Sequence, residues 1–241
     1  MEFSRRLSGF AGLAFAAVLV AGFVLDGMIA VTTGGPPQLY ASSISADLTR
    51  SGGSVVWRVE LWVYIASLIP FVMFLPGLRA SLASHERLAA ELGTVMALLF
   101  IVLHTVHNLA YAAIVTGLAP SYVAGTAQSV ATEQVARGLI ALAEAAFLPG
   151  GGIGAALLAI ALGTFGMTQR RAGSRLGVVA IAAAVLTGLG YVGLFVGQPA
   201  LVLGLGGWVV FIVWTAMTSL SLIHETAPMS ATSATRPAPA Y

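Results

Sequence analysis

Two imidazoles, an amide and a phenol stand at helical spacing inside an apolar run. His104, His107, Asn108 and Tyr111 are related as i, i+3, i+4 and i+7, which places them on one stripe of a helix. Asn108 is the only Asn in the chain. Two His at this spacing, joined by carboxylates from neighbouring helices, suit a divalent metal ion, and a His with a Glu suits general acid–base work. The carboxylates on offer within apolar surroundings are Asp26, Glu60 and Glu144. His104, His107, Glu60 and Glu144 are therefore the candidates for catalysis, with His104 and His107 as the metal ligands if a metal is bound. Asp26, Tyr64, Asn108, Tyr111 and Tyr191 are the candidates for ligand contact. The competing reading makes the same groups interhelical hydrogen-bond glue.

An ionisable side chain in lipid costs about 3 kcal/mol or more unless it is paired or hydrated. The sequence therefore predicts that His104, His107 and Glu60 share one polar cavity. Arg137 lies seven residues before Glu144 on the same helical face and is expected to pair with it or with Glu60. Asp26 and Glu60 have a further option in Arg58. Trp57 and Trp62 are expected to anchor the chain at a membrane surface.

The elements that must carry these residues follow from composition. Hydrophobic residues make up 58% of the 241 residues and charged ones only 8%, the balance of an all-α polytopic membrane protein. Because a span needs about 20 apolar residues, six transmembrane helices can be placed: Gly9–Thr32, Val59–Leu78, Leu92–Gly117, Val135–Gly166, Leu176–Val196 and Ala200–Ile223. Residues 1–225 then form one six-helix transmembrane bundle. Residues 226–241, rich in Ala, Ser, Thr and Pro, are expected to be a disordered tail. The fourth run is longer than a bilayer requires, and Pro149 with Gly150, Gly151 and Gly152 predicts a kink between Phe147 and Ile153.

Arginine sets the orientation. With both termini cytoplasmic, Arg5, Arg6, Arg79, Arg87, Arg170, Arg171, Arg175 and Arg236 fall inside and Arg50, Arg58 and Arg137 outside, as the positive-inside rule requires. Counted from Leu92, His104 and His107 then stand roughly 18 and 22 Å up a core of about 30 Å, in its outer half. Asp26, Glu60, Tyr64 and Tyr191 fall near the same level.

All eleven basic residues are Arg, and there is no Cys. Without Lys no retinal Schiff base can form, and without Cys there is neither a covalent c-type haem nor a thiolate nucleophile. The arginines are spread over short loops and lack the clustered basic face of a nucleic-acid binder, so the expected partner is the lipid bilayer. The Gly150–Gly152 cluster lacks the preceding strand and following Lys of a phosphate-binding loop.

Arg6 with Gly9, the segment Ser45-Ala46-Asp47-Leu48-Thr49-Arg50, and Arg175-Leu176-Gly177 together resemble a bacterial family of six-helix integral membrane proteins of unknown function. The resemblance covers residues 5–197. It implies the helix count and a bacterial cell (inner) membrane, and it brings no activity and no site residues. The functional expectation is an outward-facing polar pocket that binds or acts on a small lipophilic molecule. The alternatives are a small-solute or proton-coupled transporter and an accessory or assembly protein without chemistry.

Overall fold

The computed structural model describes residues 2–34, 39–146, 152–196 and 199–224. It is all-α among these residues. The helices are α1 (Glu2–Thr33), α2 (Ile44–Gly52), α3 (Val55–Ala83), α4 (Arg87–Ala112), α5 (Ala127–Ala146), α6 (Gly152–Arg171), α7 (Leu176–Val196) and α8 (Pro199–His224). Five of the described segments are long and apolar enough to cross a membrane: Ser4–Thr33, Val55–Ala83, Arg87–Ser121, Gly152–Arg171 and Leu203–His224. Leu176–Tyr191 is a shorter apolar helix. In hydrocarbon a helix is the spanning form open to a single segment, because it satisfies every backbone donor and acceptor internally.

Beyond Ala112, α4 continues as a π-helical turn, Ala113–Leu118, and a 3-10 turn, Ala119–Ser121. Thr116 donates its hydroxyl to the Ala112 carbonyl at 2.6 Å, tying the π turn to the helix before it. The expected fourth span is not one helix. Its first half belongs to α5, which starts earlier, at Ala127, and its second half is α6. Gly152 opens α6 with φ 75, a left-handed conformation that L side chains avoid and that a continuous α-helix does not contain. The kink expected between Phe147 and Ile153 falls mostly on 147–151, outside the described residues.

The apolar residues bury in two clusters. The larger runs the length of the bundle and includes Phe15, Phe71, Phe74, Phe100, Phe211 and Trp214 from α1, α3, α4 and α8. Phe15 stacks on Phe71 at 4.5 Å between centroids, and Phe71 meets Phe211 edge-on at 5.7 Å, both favourable ring geometries. The second cluster lies at one end and joins Ile29, Leu39, Ile44, Leu48, Trp57 and Leu61 to the end of α4, the π turn and Ala136, Ile140 and Ala143 of α5. We call this end the cap.

Hydrogen bonds knit the cap. Asp47 accepts from the Tyr40 amide at 2.9 Å, the Ser43 hydroxyl at 2.9 Å and Arg50 at 3.0 Å. Tyr122 donates to Glu133 at 2.5 Å; its one proton thus spent, it accepts from Ser45 at 2.6 Å. Ser45, 77 residues away in sequence, meets Tyr122 and Glu133 at that phenol, and the hydrogen bond to Glu133 holds it above its ordinary pKa.

Several expectations change here. Trp57 is fully buried in the cap, with Arg50 over its ring at 5.2 Å, whereas Trp62 is exposed. Arg137 pairs with Glu133 at 3.9 Å and donates to the Ala41 carbonyl, because α5 presents it toward the 39–47 segment and not toward Glu60. Arg58 donates to the Ser54 carbonyl one turn back at 3.4 Å. The opposite end of the bundle carries Arg79 paired with Glu91 and Arg171 paired with Glu86.

Candidate functional site

A polar layer lies where the two apolar clusters meet. Along α1 the bundle cluster includes Phe15 and Leu19 and the cap cluster Ile29, with Asp26 between them. Along α3 the cap cluster includes Trp57 and Leu61 and the bundle cluster Leu68, with Glu60 and Tyr64 at the change-over. Along α4 the bundle cluster ends at Phe100 and Ile101 and the cap cluster starts at Ala110, with His104, His107 and Asn108 between. Six of the nine expected site residues share this seam.

Within the layer the contacts fall into two sets. The first joins α1 and α3. Tyr64 donates its hydroxyl to Asp26 Oδ2 at 2.7 Å, and the Asp26 and Glu60 side chains hydrogen-bond each other. Glu60 is 4% exposed, and its Oε2 is buried with no hydrogen-bond partner among the described residues. Gly22, one turn before Asp26, makes this contact possible: a Cβ there would stand 2.7 Å from Tyr64 Cε1.

The second set lies along α4 and meets α5 and α8. Phe100, His104, His107 and Tyr111 form a ladder of stacked rings, with centroid separations of 5.4, 6.3 and 4.7 Å in that order. Trp208 of α8 stands 5.9 Å from His104. His107 Nδ1 lies 3.1 Å from the Ala143 carbonyl; since a carbonyl only accepts, Nδ1 carries the proton. Asn108 donates to the His104 carbonyl at 2.8 Å and Tyr111 to the Leu39 carbonyl at 3.4 Å. Glu144 is half-buried on α5, next to Ala143, whose carbonyl faces His107. Tyr191 is half-buried near the end of α7.

Glu60 faces Asp26 across α1 and α3, and His104 stacks on His107 along α4. One helix stripe placed the four α4 residues together, as its spacing requires. The direction in which α3 turns Glu60 depends on packing against α1, where Gly22 leaves room for Tyr64. Among the described residues no three His, Asp or Glu side chains come together as a metal ion would need.

The sequence reading missed a second buried network at the other end of the bundle. Gln169 accepts from Trp214 Nε1 at 2.9 Å and reaches Thr218 at 3.5 Å. Gln169 stands next to Arg170 and Arg171 and so reads as part of a polar flank. The remaining signal was the Gln itself, four residues beyond Phe165 on a helix whose buried face is otherwise apolar except for Thr168.

Comparison with protein-family models, curated proteins and solved structures returned no match. The resemblance to a bacterial six-helix family therefore adds nothing to the site.

Proposed function

We propose that the chain is a multi-pass protein of a bacterial cell membrane with six spans (α1, α3, α4, α6, α7 and α8), both termini cytoplasmic and the cap outside. At the polar layer it binds a small amphiphilic molecule that enters from the outer leaflet. The observation that carries this reading is the Asp26–Glu60–Tyr64 set. Its Glu60 Oε2 is buried with no hydrogen-bond donor against it among the described residues, and leaving such a group unmet costs about 1–3 kcal/mol. A ligand head that donates a hydrogen bond or carries positive charge recovers that cost.

Protein purified in a neutral detergent and titrated with dodecylamine and with dodecanol tests the reading. A rise in thermal stability with either amphiphile, lost in the Asp26→Asn, Glu60→Gln double variant, supports it. Equal shifts in both proteins, or none, would leave the layer as structural glue.

The transporter reading has less behind it. Between Tyr64 and the Arg79–Glu91 pair, α3 has no titratable residue, and the facing stretches of α1, α4, α6, α7 and α8 have none. A proton relay needs groups along the whole path.

A further inference from the structure

The face of α3 turned away from Glu60 carries an open groove of about 500 Å³ lined by Val55, Arg58, Val59, Trp62, Val63 and Ala66. Val55, Val59 and Trp62 are well exposed. Arg58 is half-buried at the cap end of the groove, its Nε turned to the Ser54 carbonyl, and no described carboxylate forms an ion pair with it. Toward Ala66 the lining is wholly apolar.

The level of Arg58 is fixed by the helix itself. Arg58 and Arg79 are 21 residues apart on α3, roughly 32 Å at 1.5 Å per residue, which matches the hydrocarbon thickness of a bilayer. Arg58 thus sits at headgroup depth, and the apolar lining below it runs into the acyl region. Trp62, one turn from Arg58, is the residue type that settles at this boundary.

We propose that this groove holds one anionic phospholipid, its phosphate on the Arg58 guanidinium and an acyl chain along Val59, Trp62, Val63 and Ala66. The guanidinium supplies paired donors that match phosphate geometry. The lining offers no carboxylate for the cation of a choline or ethanolamine headgroup, so a net-negative headgroup is favoured over a zwitterionic one. This site is separate from the Asp26–Glu60 set and does not depend on a ligand there.

Quenching by brominated lipids tests it on the full chain in mixed vesicles of phosphatidylglycerol and phosphatidylcholine, with the bromine on one lipid at a time. The Trp62 signal is the difference between the wild type and Trp62→Phe. Brominated phosphatidylglycerol should quench that signal at about fivefold lower mole fraction than brominated phosphatidylcholine, the preference one basic residue gives at a membrane surface. Arg58→Gln should abolish the preference and Arg58→Lys should keep most of it. Equal quenching by the two lipids in the wild type would overturn the proposal, as would a preference that survives Arg58→Gln. If Arg58→Gln does not fold, loss of the preference in the wild type at high salt, and its retention in Arg58→Lys, read the same charge dependence.

Discussion

Replacing Asp47 with Ala removes the acceptor on which the cap turns. Asp47 takes hydrogen bonds from the Tyr40 amide, the Ser43 hydroxyl and Arg50, all within 3.0 Å. The Asp47–Arg50 pair is largely shielded, with side-chain exposures of 8% and 20%. Hydrogen bonds to a charged acceptor contribute about 1.5–3 kcal/mol each, but three that share one carboxylate do not add. About 3 kcal/mol is the expected loss, which at about 1.4 kcal/mol per decade is roughly a hundredfold. Amide hydrogen exchange resolves where the loss falls. In Asp47→Ala, protection in α2, the π turn and α5 should drop by about two orders of magnitude, while α6 and α8 keep theirs. Asp47→Asn retains an acceptor oxygen and should lose about a tenth as much protection as Asp47→Ala. Unchanged protection in the cap would refute the role of Asp47. An equal loss in α6 and α8 would refute the separation of the cap and bundle clusters.

Other outcomes follow from single contacts. Gly22→Ala should push Tyr64 off α1 and break its bond to Asp26, visible as a shift in tyrosine ultraviolet fluorescence and a lowered melting temperature; an unchanged protein would show that the ring has room to move. Tyr122, whose pKa is raised by its bond to Glu133, stabilises the cap fully below the ordinary tyrosine pKa of about 10, and that contribution disappears as pH rises through the raised value. A cap that loosens at alkaline pH in the wild type but shows no such step in Tyr122→Phe meets this expectation, and identical pH profiles contradict it. Gln169→Leu strands Trp214 Nε1 and should cost about 0.6–1.7 kcal/mol, the range of polar contacts between membrane helices, read by thermal unfolding in detergent. A reporter fused after Ile223 should be active only in the cytoplasm, and activity only in the periplasm would reverse the proposed orientation.

The sequence made the α4 stripe legible because a period of 3.6 fixes which side chains share a face whatever they touch. It made the Arg-flanked ends of the long helices legible for a similarly local reason. The cap was not legible. Segment 44–52 contains Ser, Asp, Thr and Arg and reads as loop, yet Ile44 and Leu48, four apart, give it an apolar side that buries against Trp57. The boundary between α5 and α6 was legible only as a kink at Pro149–Gly152, because the apolar run continues on both sides of it. Glu60 and His104 could be assigned the same depth by counting, but whether they face one another depends on the rotation of α3 about its axis. That rotation is set by contacts such as Gly22 against Tyr64, which no single segment encodes.

The π turn at Ala113–Leu118 makes α4 sensitive to length in a way its side chains do not reveal. A π turn holds one more residue per hydrogen-bonded ring than an α turn, so everything beyond it is re-aimed by about 100° relative to an uninterrupted helix. A 3-10 turn follows, and Tyr122 beyond it sits between Ser45 and Glu133. Deleting one residue from the turn, Gly117 for example, would let α4 anneal into regular helix, perfectly hydrogen-bonded and locally more regular. It would also swing Tyr122 out of the junction it holds together. At this point the chain tolerates exchange of one side chain for another far better than a change in count.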